Sequence, residues 1–301
     1  MTLFTPIVLF IYRRSDNLER IIEVVRKAKP NEIYIISDGP KNESESKQVR
    51  KTRVQLERLI NWPCKVHKNY AENNLGLKER FSTGIEWVFK TTDRAIFIED
   101  DCIADPTFFK FCDELLERYK DDDRVMTISG NNFQFGSQKA KTSYYFSRYP
   151  HVWGWATWKR AWAKYDKDIS DWPSHRQPSW LRDVTHGFII SKFWKYIFDR
   201  LYGGKINTWD YQLTYASFKN HGLNIIPSLN LVTNVGYGVG STNIKKRNKT
   251  IGVPTSSMQF PLVHPKRFEA DDIADHRIDN LVYLHPLGRV SLLMKSIFGI
   301  I

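Results

Sequence analysis

Residues 95–101 have the sequence Ala-Ile-Phe-Ile-Glu-Asp-Asp, a short apolar run that ends directly in three acidic residues. Such a run is typical of a strand that is buried on both faces of a sheet. Asp105 and Pro106 follow, and this pair favours a helix start, because aspartate caps the first turn and proline fits within it. The stretch therefore predicts a strand, a connection carrying carboxylates and a helix, which is the repeating unit of an α/β protein.

The same alternation is predicted on both sides of this stretch. Apolar runs predict further strands at residues 5–12, 32–37, 64–67 and 124–129. Amphipathic segments between them predict helices at about 18–25, 43–60 and 77–89. Repeated strand–helix units of this kind predict an α/β fold with a Rossmann-like, mostly parallel sheet flanked by helices.

The regular alternation covers residues 1–131, whereas residues 132–285 are less regular and richer in aromatic side chains. No internal repeat and no low-complexity linker separates the two parts. We therefore expect one continuous domain with two halves, followed by a tail at 286–301.

Composition restricts the class of protein. The chain has 301 residues, of which 42% are hydrophobic and 26% charged, as expected for a soluble globular protein and not for a disordered or fibrous one. The net charge of +12 favours an anionic partner such as a nucleotide, nucleic acid or membrane surface, although a solvated basic surface is the alternative. Three scattered cysteines and a first segment without signal-peptide features predict a cytoplasmic protein.

Polar side chains follow several of the predicted strands. Arg13 and Arg14 follow the first strand, Asp38 follows the second, and the carboxylates at 99–101 follow the fourth. Ligands of open α/β sheets bind beyond the carboxyl ends of the strands. Oxygen ligands of this type suit Mg²⁺ or Mn²⁺, which would offset charge on a diphosphate leaving group. A solvated acidic strand end is the alternative.

Five segments together carry a resemblance to a known family. They are FIYRRS (10–15), SDG (37–39), FIEDDCIADPTFFKF (97–111), WGWATWKRAW (153–162) and WDYQLTYA (209–216). Their order resembles the GT-A glycosyltransferases, above all the group that contains N-acetylglucosaminyltransferase I. It is also similar to the bacterial glycosyltransferases of surface-polysaccharide synthesis, which carry a related GWATW segment. The resemblance covers roughly residues 5 to 243.

This resemblance implies a metal-dependent, inverting glycosyltransferase with a nucleotide-diphosphate donor, a UDP-sugar, and a glycan or lipid-linked glycan as acceptor. Residues 1–131 would be the nucleotide-sugar-binding half and 132–285 the acceptor-side half. The implied roles are nucleotide binding by Arg14 and Asp38, a ribose or phosphate contact by Lys78, a donor-sugar contact by Glu99, ribose binding by Asp100, and a Mn²⁺ or Mg²⁺ ligand in Asp101. Nucleic acid is not an implied partner.

The predicted general base is Asp210, which follows Trp209 at the start of a predicted helix. Inverting transfer needs a base that takes the proton of the acceptor hydroxyl, and the family places its base in a similar Trp-Asp context. A helix-start aspartate that only interacts with the helix dipole is the alternative. We include Trp209 among the nucleotide-sugar-binding residues.

The aromatic segment at 153–162 has two interpretations. Trp155, Trp158 and Trp162 lie at helical spacing, which favours packing in the core. Gly154, between two tryptophans, suits a backbone that passes close to a donor sugar. We therefore predict that Gly154 and Trp155 line the site.

Two later segments complete the predictions. The glycine-rich loop at 236–243, which includes Ser241, is followed by Lys245, Lys246 and Arg247 and would close over the diphosphate; an ordinary surface loop is the alternative. In the tail, Val290 and other apolar residues recur at helical spacing. Such a helix suits the inner face of an anionic membrane, or else packs on the protein's own core.

Two other functions compete with sugar transfer. A sugar-phosphate nucleotidyltransferase also uses acidic residues, a metal and a nucleotide, but it usually has a glycine- and lysine-rich turn after its first strand, where this chain has Tyr-Arg-Arg-Ser. A basic nucleic-acid-binding protein would fit the net charge. The acidic residues at the strand end argue against it, because they would repel nucleic acid.

Overall fold

The computed structural model describes residues 3–136, 141–236 and 249–284 of the chain. In this part of the chain the strands are β1 (Ile7–Ile11), β2 (Glu32–Ser37), β3 (Lys65–Tyr70), β4 (Arg94–Glu99), β5 (Cys102–Ala104), β6 (Val125–Ser129), β7 (Tyr144–Ser147), β8 (Trp155–Trp158), β9 (Leu223–Pro227) and β10 (Val232–Asn234). The helices are α1 (Leu18–Ala28), α2 (Glu43–Leu59), α3 (Leu77–Val88), α4 (Thr107–Arg118), α5 (Lys159–Trp162), α6 (Trp172–His175), α7 (Pro178–Thr185), α8 (Phe188–Tyr202), α9 (Asp210–Lys219) and α10 (Asp272–Ile278), with a π-helical turn at Asp279–Tyr283.

The central sheet has eight strands in the order β3-β2-β1-β4-β8-β6-β9-β7. The first four strands of this order pair in parallel, and β6 pairs in parallel with β9. Strand β8 is antiparallel to both β4 and β6, so these two run in the same direction. Six of the eight strands therefore share one direction, and the predicted mixed α/β fold with a mostly parallel sheet is confirmed.

In strand β8 the structure differs from what the spacing of the tryptophans indicates. The spacing of its tryptophans suggested a helix, but Trp155–Trp158 is a strand and only Lys159–Trp162 is helical. All four residues of β8 are buried, because the strand lies in the middle of the sheet with both faces covered. The prediction that Trp155, Trp158 and Trp162 belong to the core is confirmed, since they are 1%, 3% and 5% exposed.

Apolar side chains on the two faces of the sheet form separate clusters. One face packs with α1 and α4, which contribute Ile22 and Leu115 among others. The other face packs with α3 and includes Ile85 and Trp209. A further cluster is built by α7, α8 and α9 around Trp194 and includes Phe198. Strands from both sides of residue 131 thus belong to one sheet, because β8 lies between β4 and β6.

The topology brings chain segments that are distant in sequence to one edge. The carboxyl ends of β1, β2, β4, β6 and β9 all lie there, because these strands run in the same direction. Residues 12–14, 38, 99–101, 130–132 and 228–231 follow those ends. In the part of the chain that the structure describes, no helix is long and apolar enough to cross a membrane.

Candidate active site

Asp100 and Asp101 form the two-residue connection between β4 and β5. The chain leaves the central sheet here, because β5 pairs with β10 in a separate two-stranded sheet. The backbone N–H of Tyr12, just beyond β1, donates a hydrogen bond to Asp100 Oδ2 over 2.9 Å. The predicted carboxylates therefore lie beside the end of β1, where the arginines follow.

Asp101 forms an ion pair with Arg14, in which Arg14 Nη1 donates to Asp101 Oδ2. Their side chains are 15% and 23% exposed, so the pair is partly shielded but accessible from solvent. Two predicted nucleotide- and metal-binding residues are thus in direct contact. The pair couples the end of β1 to the β4–β5 connection.

Asn234, the last residue of β10, and Val235 after it also contact Asp101. Asn234 Nδ2 donates to Asp101 Oδ1 over 3.2 Å, and Val235 N donates to the Asp101 carbonyl over 2.9 Å. A Cβ atom on Gly236 would lie 2.0 Å from Asp101 Oδ2 and 2.5 Å from Arg14 Nη1, so a larger residue here would displace the ends of these two side chains. The contact of Asn234 with Asp101 is not predictable from the sequence, because the position of Asn234 depends on the pairing of β10 with β5.

Burial and repulsion raise the pKa values of the acidic residues. Burial raises the pKa of Glu99 well above its usual value, and the charges of Asp101, Asp100 and Asp210 add to this effect. Burial and the Asp101 charge likewise raise the pKa of Asp100, against a hydrogen bond from Tyr12 N. Arg14 is the opposing cation at both residues. The cluster therefore favours protonation or a further cation.

The donor set fits a divalent cation in a limited way. Carboxylate oxygens are ligands that Mg²⁺ and Mn²⁺ accept, and Mg²⁺ usually takes one or two carboxylates with phosphate oxygens and water as the remaining ligands. Among the described residues, no group of three or more His, Cys, Asp or Glu forms a site for a metal ion. A divalent cation at residues 99–101 would therefore need further ligands from a phosphate-bearing molecule or water.

Asp210 is the first residue of α9, and its charge contributes to raising the pKa of Glu99. The structure therefore brings the predicted base to the acidic cluster, although the two are far apart in sequence. Burial raises the pKa of Asp210, whereas hydrogen bonds from Thr208 Oγ1 and from the backbone N–H groups of residues 210 and 211 oppose this. These three donors hold the carboxylate in a defined orientation.

A column of aromatic rings packs next to Asp210. Its consecutive centroid distances are 4.0 Å for Phe10–Phe81, 4.6 Å for Phe81–Trp209, 5.4 Å for Trp209–Trp155 and 4.7 Å for Trp155–Phe97. Trp209 is 3% exposed and Trp155 is 1% exposed. Both rings are thus part of the packing, which fixes the backbone directly before Asp210. Their predicted contacts with a donor sugar stay predictions.

The backbone of Gly154 lies close to the side chain of Val232 in β10. Its φ of +69° lies in the left-handed region, and a Cβ atom would lie 2.6 Å from Cγ2 of Val232. Its carbonyl accepts a hydrogen bond from Gly130 N over 2.7 Å. Glycine is therefore required for packing against β10. A contact between Gly154 and a sugar stays a prediction.

Asp38 holds the loop that precedes α3. Its carboxylate accepts from Leu75 N at 2.9 Å, from Gly76 N at 3.0 Å and from Asn74 Nδ2 at 3.0 Å. Asn74 Nδ2 also lies 3.2 Å from the Tyr12 hydroxyl. Asp38 thus joins the ends of β1 and β2 through this loop, and its predicted contact with a nucleotide base stays a prediction.

Lys78 is a further predicted residue that the structure describes. Lys78 forms an ion pair with Asp168 at 2.8 Å, a contact that the sequence did not indicate. Its predicted contact with ribose or phosphate stays a prediction. Ser241, the basic residues 245–247 and the tail from residue 286 lie outside the described residues.

No family profile and no curated protein matches the sequence of this chain. Solved structures give matches of low similarity. UDP-glucose pyrophosphorylase complexed with UDP-glucose has 10% sequence identity and a TM-score of 0.36, with 74% of this chain and 90% of that chain covered. Apo UDP-glucose pyrophosphorylase has 10% identity and a TM-score of 0.35, with 73% and 90% covered.

Apo mouse xyloside xylosyltransferase 1 has 13% identity and a TM-score of 0.33, with 72% of this chain and 82% of that chain covered. Similarity at this level carries no conclusion about activity. What the site can do must follow from its own residues.

Proposed function

We propose that this protein is an inverting glycosyltransferase that transfers a sugar, N-acetylglucosamine or a related hexose, from a UDP-sugar to an acceptor hydroxyl. One observation carries the proposal: the Arg14 side chain pairs with Asp101 at the carboxyl edge of the sheet, and the charge of Asp210 acts on Glu99 beside them. This is where open α/β sheets bind nucleotides. The arrangement supplies groups for both a diphosphate and a proton transfer.

The donor side of the site consists of Arg14 and the β4–β5 connection. Arg14 offers a guanidinium that suits phosphate oxygens, while Asp100 bonds the ribose and Glu99 contacts the donor sugar. Asp101 would hold the Mn²⁺ or Mg²⁺ ion that the proposal requires. When bound, this ion supplies positive charge that stabilises the departing nucleoside diphosphate. The ion pair between Arg14 and Asp101 keeps both groups in position before the donor arrives.

Asp210 is the base in this proposal. Its carboxylate takes the proton of the acceptor hydroxyl while the acceptor oxygen forms a bond to the anomeric carbon. The bond from that carbon to the diphosphate oxygen breaks, and its electron pair leaves with the nucleotide. Burial raises the pKa of Asp210, which makes its ionised form a stronger base. The hydrogen bonds to Asp210 and the stacked ring of Trp209 restrict its movement.

The acceptor in this proposal is a glycan or a lipid-linked glycan of surface-polysaccharide or other glycan synthesis. The enzyme works in the cytoplasm or on the inner face of the plasma membrane. The net charge of +12 supports an anionic donor and an anionic membrane surface.

The test is incubation with a panel of nucleotide-sugars in the presence of Mn²⁺. A glycosyltransferase slowly hydrolyses its donor and releases nucleoside diphosphate and free sugar. A sugar-phosphate nucleotidyltransferase instead needs pyrophosphate and forms nucleoside triphosphate. A binding protein turns over neither. Nucleoside diphosphate from a UDP-sugar supports the proposal, and pyrophosphate-dependent triphosphate formation contradicts it.

A further inference from the structure

A cavity of about 530 Å³ lies at the same edge of the sheet, beyond the ends of β6 and β9. This volume is in the range of small-molecule sites, roughly 300–1,000 Å³. Apolar residues such as Phe135, Leu229 and Ile251 line it together with polar residues such as Asn132 and Asn230. Among the described residues, none of those assigned to the donor lines it.

One residue connects this cavity to the acidic cluster. Gly252, which lines the cavity, donates its backbone N–H to the Asn234 carbonyl over 3.0 Å. The side chain of Asn234 donates to Asp101. Asn234 thus contacts both a residue of the cavity wall and the acidic cluster.

The polar walls of the cavity are held by internal hydrogen bonds. Asn132 Nδ2 donates to the Pro227 carbonyl over 2.7 Å, and Asn132 N donates to Asn230 Oδ1 over 3.0 Å. Asn230 Nδ2 donates in turn to the Val232 carbonyl over 2.9 Å. Through these hydrogen bonds, Asn132 and Asn230 fix the loops after β6 and β9. This part of the cavity wall is thus fixed by the protein's own hydrogen bonds.

Phe135 is the unusual residue of this cavity. The residue is 39% exposed, and its φ of +48° is in the left-handed region, which is costly for a bulky residue. Unfavourable backbone conformations cluster at binding sites, where the surrounding structure maintains them. An exposed aromatic ring offers a flat surface on which the apolar face of a sugar ring can pack.

Charge adds a second element of recognition. Lys249 Nζ lies 5.8 Å from the centroid of the Phe135 ring, and Lys249 is the only charged residue among the described residues that line the cavity. A single positive charge favours an anionic ligand over a cationic one. The aromatic surface and the ammonium group lie next to each other, so one ligand can reach both.

We propose that this cavity binds a saccharide that carries an anionic group, either a carboxylate or a phosphate, with the sugar ring on Phe135 and the anionic group toward Lys249. The proposed binding of this saccharide is argued from the residues of the cavity alone. Its identification as the acceptor of the transfer rests on the proposed function.

The test is ligand binding to the full chain by titration NMR, with three probes: methyl β-glucoside, methyl β-glucuronide and glucose 6-phosphate. We expect at least one anionic probe to bind about three- to tenfold more tightly than the glucoside, as a partly exposed ion pair contributes. The tighter of the two anionic probes distinguishes a carboxylate from a phosphate ligand. Equal binding of the glucoside, or no binding of any probe, overturns the proposal.

Variants locate the binding. Lys249→Gln should remove the preference for anionic probes, whereas Lys266→Gln, a change at an exposed lysine outside the cavity, should retain it. Phe135→Leu should weaken all three probes by about three- to tenfold, the usual contribution of an aromatic contact. Wild-type binding by both cavity variants would place the ligand elsewhere.

Donor binding is measured separately with a UDP-sugar. Intact donor binding without saccharide binding defeats the cavity proposal alone. Saccharide binding at the cavity without any turnover of nucleotide-sugar retains the cavity and defeats the proposed function.

Discussion

Arg14 Nη1 donates a hydrogen bond to Asp101 Oδ2, and this contact joins the end of the first strand to the acidic connection after the fourth. Asn234 occupies the other oxygen of the same carboxylate. Cys102 Sγ also donates to that oxygen, so Asp101 has one cationic and two neutral partners. Burial and the charge of Asp101 raise the pKa values of its neighbours Glu99 and Asp100. Negative charge without a full set of favourable partners is therefore concentrated at the carboxylates of Glu99 and Asp100.

Asp101→Asn should abolish Mn²⁺-dependent binding of a UDP-sugar while the protein stays folded. The change retains the shape of the side chain and removes the charge that a divalent cation needs. Calorimetric titration with donor plus Mn²⁺ measures this. Asp123→Asn, at a side chain that is 79% exposed, is the matched control and should bind like the wild type. Unchanged donor affinity of the Asp101 variant would refute its role as a metal ligand.

Asp210→Asn should keep donor affinity and slow transfer by about 10²–10⁴-fold, the usual contribution of a positioned base. Because burial raises the pKa of Asp210, wild-type kcat/KM should rise with pH until this carboxyl group is ionised. The variant should lack that rise. Steady-state kinetics across pH give both results. Transfer at nearly the wild-type rate would place the base elsewhere.

Glu99→Gln should increase the stability of the metal-free protein, and the gain should grow with pH. The folded-state pKa of Glu99 is raised, so its stabilising proton is present below the ordinary value of 4.5 and is lost as pH rises through the folded pKa. The variant has no such loss. Thermal unfolding with a chelator at pH 5 and pH 8 measures the difference.

Glu117→Gln is the control, because the pKa of Glu117 is lowered whereas that of Glu99 is raised. Hydrogen bonds from Lys120 and Arg94 lower the pKa of Glu117 to about 2, so its ionised form is the stabilising one at neutral pH. Its replacement should give no gain in stability at pH 8. Equal pH dependence of the two variants would show that repulsion at Glu99 does not limit stability.

The predicted amphipathic tail is tested with vesicles. Full-length protein should co-sediment with anionic liposomes at low salt, and a chain that ends at Pro286 should not, because it lacks the apolar and basic residues of the tail. Sedimentation with neutral liposomes is the control for the charge contribution. Identical behaviour of the two chains would assign the tail to ordinary packing.

The sequence predicted those elements of the fold and site that depend on a local pattern of residues. The apolar run at 95–98 with its acidic end predicted β4 and the connection after it, because a strand buried on both faces needs a continuous apolar run. The capping pair at 105–106 predicted α4, and Asp105 Oδ1 accepts a hydrogen bond from Thr107 N over 2.8 Å. These features depend only on neighbouring residues.

Other features depend on contacts between distant segments and could not be predicted. Positions 155, 158 and 162 fit a helical period, but Trp155–Trp158 is a strand, because burial on both faces removes the alternation that marks a strand. The contact of Asn234 with Asp101 requires the β5–β10 pairing. The ion pair between Lys78 and Asp168 likewise joins separate segments.

The most direct test of the proposed activity is the anomeric configuration of the sugar first released from an α-linked UDP-sugar in the presence of Mn²⁺, followed by time-resolved NMR. In slow donor hydrolysis, water takes the place of the acceptor and is deprotonated by Asp210. An inverting enzyme must release the β anomer first, before mutarotation forms the α anomer. Initial release of the α anomer, or turnover only with pyrophosphate, would contradict the account.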